Sequence, residues 1–222
     1  MKMLRAACAA AAAMLLSGCV TPPTYDYSAF RQSRPASILV LPPVNNSTAV
    51  EATHSLMSWT TQPLAESGYY VLPVTLVEET FRQNGLNSPA EIAEVSPAKL
   101  REIFGADAAL YIQIRQYGTV YRVLQSESVV TADARLVDLR SGALLWNGTA
   151  SASSAENRGN SQAGLLGLLV EAVVYQIVEN ATDASHNVAG VTAPRLLSAG
   201  RPAGILYGPR SPKYQQAGLP AP

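Results

Sequence analysis

The chain has 222 residues, and its 16 lysine and arginine residues balance 16 aspartate and glutamate residues, so the formal charge is zero. This balance argues against a nucleic-acid-binding protein, which normally carries a basic domain or stripe, so no nucleic-acid partner is predicted. The length suits one domain with appendages.

The first 18 residues are predicted to be a lipoprotein signal peptide. Lys2 and Arg5 form a short positive region, and an apolar run continues to Leu16. The run is too short for a membrane-spanning helix, which needs about 20 residues. The sequence L-S-G-C at 16–19 resembles the bacterial lipobox, in which cleavage precedes a cysteine that is acylated through its sulfur. Cys19 is therefore the predicted lipidation site and membrane anchor.

Cysteine usage and the residue after Cys19 extend this interpretation. Cys8 is removed with the signal peptide, so the mature chain has no thiol left for a disulfide, a catalytic cysteine or a metal site. In lipoproteins of this kind, aspartate directly after the lipidated cysteine retains the protein in the inner membrane. Val20 stands there instead, so the predicted location is the outer membrane.

Residues 19–36 are predicted to form a lipidated tether, because Pro22, Pro23 and Pro35 interrupt a stretch without periodicity. A tether of this length would reach about 55–60 Å when extended. Proline, glycine and capping residues mark the ends of the next predicted elements. These are a strand at 37–41, a helix at about 50–67 with a kink or break at Pro63, a strand at 69–72, a helix at 75–84, a loop at 86–95 and a helix at 97–104.

After residue 108 the apolar period changes to two, which predicts antiparallel strands. In 109–117, Leu110, Ile112 and Ile114 share one face, opposite Tyr111, Gln113, Arg115 and Tyr117. In 128–139, the apolar face is formed by Val130, Ala132, Ala134 and Leu136, opposite Thr131, Asp133 and Arg135. A turn at 140–142 leads to a return strand with Leu144 and Trp146 on the apolar face. The pattern predicts a sheet covered on one side.

The last predicted helix, 162–186, is apolar around most of its circumference. Its apolar run is shorter than about 20 residues and contains Glu171, which argues against a membrane span. We expect a core helix with one flank free for a partner, either a second copy in a homodimer or another envelope protein. The predicted interface residues are Leu169, Val173 and Ile177.

The remaining 189–222 form a Pro/Gly-rich C-terminal segment, in which Ile205-Leu206-Tyr207 is an apolar triplet that we expect to dock on the domain. The predicted organisation is a signal peptide at 1–18, the tether at 19–36, a domain at 37–188 and this segment. The order β-α-β-α-α-β-β-β-α predicts an α/β fold with α+β layering, in which helices cover one face of a mixed sheet.

Several segments resemble the uncharacterised lipoprotein family known from neisserial vaccine-candidate lipoproteins. The matching residues are the lipobox, Ile38–Pro43 with Asn45–Ser47, Gly68–Pro73, Phe104–Ala108, and Gly204–Pro209 with Ser211–Tyr214. The resemblance implies a fold similar to the TolB amino-terminal domain and the CsgG periplasmic domain. It implies an envelope role, including one as an accessory to a CsgG-like secretion system, and brings no known catalytic residues.

The sequence contains little that predicts catalysis. His54 and His186 are its two histidines and have no local ligand partners, so each is interpreted as a surface or capping group. There is no nucleophile elbow, phosphate-binding loop or dinucleotide motif. Gly105 and Asp107 are interpreted as a helix stop and a turn. The prediction is therefore a protein that is not an enzyme, with no cofactor and no metal.

The predicted function is that of an outer-membrane lipoprotein acting as a non-enzymatic binding or assembly component of the cell envelope. A pore-forming subunit is an alternative, but it needs membrane strands of about 9–11 alternating residues, and the hairpin at 109–150 is used by the domain's own sheet. An envelope hydrolase is the other alternative, and the sequence shows no nucleophile–base set for it.

Overall fold

The computed structural model describes residues 25–121, 126–156 and 184–214. The helices in these ranges are α1 (Ser28–Ser33), α2 (Ala52–Ser58), α3 (Thr61–Glu66), α4 (Val74–Gln83), α5 (Pro89–Ala93), α6 (Pro97–Phe104) and α7 (Ala184–Leu197). The strands are β1 (Ser37–Val40), β2 (Val44–Asn45), β3 (Tyr70–Val71), β4 (Ala108–Tyr121), β5 (Ser126–Asp138) and β6 (Leu144–Ser153).

The described strands form one mixed sheet of six strands in the order β3-β1-β4-β5-β6, with β2 pairing to β4 beyond the end of β1. Strand β1 runs parallel to β3 and β4, whereas β4, β5 and β6 are antiparallel neighbours. The predicted α/β class with a mixed sheet and packed helices is therefore confirmed.

Two apolar cores lie on opposite faces of this sheet. The first joins the long strands β4–β6 to α1, α2, α3 and α7, with Leu110, Leu136 and Trp146 at its centre. The second lies over β1 and the start of β4, beneath α4, α5 and α6, and includes Leu39, Phe81 and Leu100. In the described ranges, helices thus cover one face along the whole sheet and the other over its parallel half. The predicted cover on one face only therefore holds for the antiparallel half and not for the parallel half.

The predicted tether at 19–36 extends too far along the chain. Residues Ser28–Ser33 form α1, whose Phe30 is 3% exposed in the first core, and Tyr25 and Tyr27 pack against the same core. The prolines at 22, 23 and 35 are typical of a tether, but the three aromatic side chains have enough apolar surface to hold the segment on the domain.

Two helix predictions also need correction. The break in the segment 50–67 lies at Trp59–Thr60, and Pro63 is the third residue of α3. Proline is tolerated there because the first turn of a helix contains N–H groups without intrahelical partners. The predicted loop 86–95 contains α5, which begins at Pro89 after an extended Ser88, the same Ser-Pro signal that starts α6 at 96–97.

Irregular strand pairing shifts two of the predicted faces. The β4–β5 register slips between Ile114 and Gln116, so Tyr117 turns onto the core face and is 4% exposed. The β5–β6 register slips between Leu136 and Val137. As a result Leu145 and Trp146 are both buried while Leu144 is 52% exposed. Placing Tyr117 on the polar face and Leu144 on the apolar face was therefore wrong.

The C-terminal part of the chain contributes to the first core. Helix α7 continues past the predicted helix end at 186 and buries Ala193 and Leu197, which fall in the segment predicted to be Pro/Gly-rich. Beyond it, Ile205 is 1% exposed, and the Tyr69 hydroxyl donates to the Leu206 carbonyl at 2.5 Å. Most of the predicted helix 162–186 lies outside the described residues.

A candidate binding cleft on the open half of the sheet

The half of the sheet face that the described helices leave open presents polar side chains from three neighbouring strands. The register places Gln113 opposite Asp133, and Asp133 opposite Thr149. In the adjacent row, Tyr111 lies opposite Arg135, which lies opposite Asn147. Apart from the shifts at Tyr117 and Leu144, this is the polar face that the period of two predicts.

These rows form the floor of a cleft of about 460 Å³. One wall comes from the turn after β1, the start of β2 and the end of α5, through Leu41, Pro42, Val44 and Ala93. A second hollow of about 350 Å³ continues it toward Val95–Pro97 and shares the side chains of Tyr111, Arg135 and Leu144. The cleft is therefore a polar sheet surface with an apolar wall and one protruding leucine.

The charges in the cleft are partly satisfied within it. Asp133 pairs with the Arg115 guanidinium and also accepts a hydrogen bond from the Thr149 hydroxyl at 2.7 Å. The Arg135 guanidinium lies 4.3 Å from the centre of the Tyr111 ring, a cation–π contact. Burial raises the pKa of Tyr111 despite the opposing effect of Arg135, so the phenol keeps its proton at neutral pH.

Arg135 forms no ion pair with the carboxylates that the structure describes. Its planar guanidinium is held by the aromatic ring, and its donors are exposed at the cleft surface. Such an arrangement favours recognition of a carboxylate, a phosphate or a backbone carbonyl by hydrogen bonding.

His186, interpreted from the sequence as a surface or capping group, contacts a buried serine in the structure. The Ser55 Oγ atom on α2 lies 2.7 Å from Nδ1 of His186 on α7, and the Tyr117 hydroxyl donates to the same Oγ at 2.7 Å. The His186 ring packs against Trp59 with a centroid distance of 5.1 Å. No sequence signal marks this pair, because 131 residues separate its members and only helix packing brings them together.

A serine and a histidine in contact are the parts of a nucleophile–base set. Here, however, Ser55 is 8% exposed and sits within a helix, in a network that ties α2 and α7 to β4. The arrangement is typical of a polar contact that fixes packing between elements. His54 is far more exposed and lies 3.7 Å from Glu78.

Asp107 performs the structural role assigned to its motif. Gly105 ends α6 in the left-handed conformation with φ +65°. Two residues later, Asp107 Oδ2 accepts from the backbone N–H groups of Ala36 and Ser37 at 3.0 and 3.2 Å. Its other oxygen accepts from Arg140 at 2.6 Å. The motif therefore joins the entrance of β1 to the start of β4.

The remaining predicted site residues are not placed. Cys19, Leu169, Val173 and Ile177 lie outside the described residues. Within 25–121, 126–156 and 184–214, no three His, Cys, Asp or Glu side chains cluster as metal ligands would. In the same three ranges, no helix combines the length and apolarity needed to cross a membrane.

Comparison with known proteins places the chain among bacterial lipoproteins. The model of the GNA1162-like lipoprotein family matches residues 25–210. The lipoprotein NMB1124/NMB1162 of Neisseria meningitidis serogroup B is 50% identical over 202 residues, covering 90% of this chain and 93% of its own.

Solved structures are similar as well. The crystal structure of the lipoprotein GNA1162 from Neisseria meningitidis is 53% identical, with a TM-score of 0.53, over 65% of this chain and 99% of that one. A PelC dodecamer from Paraburkholderia phytofirmans is 17% identical with a TM-score of 0.42, over 73% of this chain and 85% of that one. The family match and the 50% identity of the neisserial relative show that the chain belongs to the GNA1162-like lipoprotein family.

Proposed function

We propose that the protein is an outer-membrane lipoprotein whose domain acts as a non-enzymatic binding or assembly component of the cell envelope. The observation that carries the proposal is the open half of the sheet, where three strands, α5 and the turn after β1 form a cleft of about 460 Å³. Family membership supports attachment to a membrane through lipid on Cys19, and Val20 supports the outer membrane.

The cleft has the chemical character of a site for another macromolecule. Its polar floor offers amide, hydroxyl and guanidinium groups at the spacing of a sheet, and Leu144 adds an exposed apolar contact. Interfaces of non-obligate complexes combine apolar and polar area in this way. A partner in a CsgG-like secretion system would be one envelope protein of the expected kind.

A second interface is proposed on the helix predicted at 162–186, through Leu169, Val173 and Ile177. Apolar side chains on these positions would support a homodimer, the commonest symmetric assembly. Sedimentation of the domain without Cys19, over a range of concentrations, tests it. A species that stays monomeric throughout would remove the homodimer from the proposal.

The two alternatives are less well supported by the described residues. Strands β4 and β5 are long enough for a membrane barrel, at 14 and 13 residues. They pair with each other, however, and alternate residues face the first core.

A hydrolase would use Ser55 and His186, but Ser55 is buried. Labelling of Ser55 by a fluorophosphonate probe, absent in Ser55→Ala, would favour the hydrolase.

Photo-crosslinking in intact cells tests the binding proposal directly. A photoreactive residue would replace Gln113 or Thr149 inside the cleft, or Gln83 on the exposed end of α4 as the control. We expect the two cleft positions to give the same crosslinked envelope protein and the control position to give none. Crosslinks that are equal at all three positions, or absent at both cleft positions, would contradict a binding role for the cleft.

A further inference from the structure

The segment that leads to the lipid is fixed to the domain much closer to Cys19 than the sequence indicates. The Tyr25 hydroxyl donates to the Asn147 side chain at 2.8 Å and accepts from the Asn147 backbone N–H at 2.9 Å. The Tyr27 hydroxyl donates to the Gly204 carbonyl, and Phe30 is buried. Three successive aromatic side chains therefore hold residues 25–30 against the domain.

Only five residues then separate Tyr25 from Cys19. Even fully extended, the chain from Cys19 to Tyr25 spans at most about 20 Å. A compact domain of about 160 residues has a radius of gyration of about 15 Å, hence a diameter of about 40 Å and a half-circumference of about 60 Å. The connection is thus too short to pass around the domain, and the surface near Tyr25 must stay close to the anchor.

That surface is the outer edge of the sheet at β6. Asn147 lies on β6, the last strand in the order β3-β1-β4-β5-β6, and its side chain also lines the cleft. Its partner across the sheet is Arg135. The opposite edge at β3 lies four strand spacings away, or about 19 Å. The anchor is therefore tied to the β6 edge, where the Tyr25 ring lies on the first core and its hydroxyl reaches Asn147 of the cleft.

We propose that the β6 edge and the adjoining end of the cleft form a membrane-facing surface that contacts the phospholipid headgroup layer. The exposed chemistry suits that layer. The Arg135 guanidinium can donate to lipid phosphates, and Leu144 is an exposed apolar side chain. The inference rests on the proposed lipid anchor. If it holds, a partner protein that binds in the cleft must bring its binding segment to the membrane surface.

Fluorescence quenching in vesicles tests this orientation. The lipidated chain would be placed in vesicles of phosphatidylethanolamine and phosphatidylglycerol with quencher-labelled headgroups. One fluorophore would be attached through Thr149→Cys on β6 and, in the control, through Gln83→Cys on α4, which packs over β1. We expect most of the fluorescence to be lost at position 149 and little at position 83. Equal quenching, or stronger quenching at 83, would overturn the proposal.

Lengthening the connection between Cys19 and Tyr25 tests whether its shortness sets the orientation of the domain. Inserting 20 glycine and serine residues between Pro23 and Thr24 adds a coil with a root-mean-square length of about 25 Å. We expect the difference between positions 149 and 83 to shrink in this variant. A difference that persists would show that the short connection does not set the orientation and would contradict the inference.

The vesicle experiment distinguishes a failure of the proposed lipid anchor from a failure of the proposed orientation. If Cys19 is not lipidated, the chain will not incorporate into the vesicles at all, which contradicts the anchor and the orientation together. If the chain incorporates but the two positions are quenched equally, only the orientation is wrong. A matched preparation of Cys19→Ser measures the association that occurs without lipid.

Discussion

Gly68 shows how a single residue allows the C-terminal segment to dock. It follows α3 with φ +96°, and a Cβ atom on it would lie 2.4 Å from the Ser211 nitrogen and 2.8 Å from the Gly208 carbonyl oxygen. The backbone there also hydrogen-bonds to the docked segment. The Gly208 N–H donates to the Ser67 carbonyl, and the Arg210 N–H donates to the Gly68 carbonyl. Both the positive φ and the close approach therefore require glycine.

We predict that Gly68→Ala lowers the free energy of unfolding far more than Gly85→Ala. Gly85 has a similar φ of +81° but nothing within 4 Å of an added Cβ. The strain of positive φ costs about 1–2 kcal/mol in each variant. At Gly68, displacement of the docked segment adds about 1–3 kcal/mol. Urea unfolding measures the difference, and equal losses would show that the segment moves aside at little cost.

Asp107 is the second residue with a distinct energetic role. Burial raises its pKa, but hydrogen bonds from Ala36, Ser37 and Arg140 outweigh that effect and leave the pKa below its ordinary value. A carboxylate with a lowered pKa contributes stability above its unfolded pKa of about 4, and the contribution is lost as the pH falls through the folded pKa.

We therefore predict that Asp107→Asn and Asp107→Ala both reduce the loss of stability in acid, measured by urea unfolding between pH 3 and pH 7. Asparagine keeps an oxygen that can accept from the Ala36 N–H, whereas alanine leaves that donor and the Ser37 N–H without their acceptor. Alanine should cost about 1–3 kcal/mol more than asparagine at pH 7. An acid dependence like that of the wild type would contradict the role given to this carboxylate.

At the scale of elements, the C-terminal segment behaves as part of the first core. Ile205 is 1% exposed, and the Trp146 ring nitrogen donates to the Ala203 carbonyl at 2.9 Å. The Ala199 N–H donates to the Ser67 hydroxyl at 2.9 Å. The segment after α7 therefore contributes both apolar burial and hydrogen bonds to elements far away in sequence.

We predict that Ile205→Ala lowers the free energy of unfolding by about 2–5 kcal/mol, the range for large-to-small changes in a core. Leu76→Ala on α4 is the matched control, since Leu76 is 64% exposed and its truncation should change stability by no more than about 0.5 kcal/mol. Both are measured by thermal and urea unfolding. Equal effects would mean that the segment is not part of the folded core in solution.

The sequence predicts the elements well where local periodicity decides them. The alternation in β4 and β5 and the Ser-Pro start of α6 are examples. It fails where tertiary pairing decides, as with Tyr117, because a bulge is fixed by the partner strand and leaves no mark in the hydropathy pattern. The Ser55–His186 contact is not predicted either, because it too depends on packing between elements that are far apart in the chain. The polar rows of the cleft were predictable, but its apolar wall, which requires α5, was not.

At the scale of the whole molecule, the proposed lipid anchor lies close to the domain. Tyr25 is held at the β6 edge, and Cys19, the proposed site of the lipid, can lie at most about 20 Å from it. In the proposed orientation, the opposite edge, where α4 and β3 lie, faces away from the membrane. The proposal assigns attachment to Cys19 and sorting to the adjacent Val20.

These two roles can be separated by two substitutions. We predict that Cys19→Ser accumulates as an uncleaved, unlipidated precursor, because the sulfur that receives the lipid is missing. Val20→Asp should instead remain lipidated and cleaved but move from the outer-membrane to the inner-membrane fraction, since aspartate after the lipidated cysteine is the retention signal. Separation of the two membranes on a density gradient, with mass spectrometry of the N-terminus, measures both outcomes.

Val20→Asn is the control, because asparagine is polar and close to aspartate in size but carries no charge. Outer-membrane location of Val20→Asp would contradict the sorting role, and lipidated material from Cys19→Ser would move the anchor elsewhere.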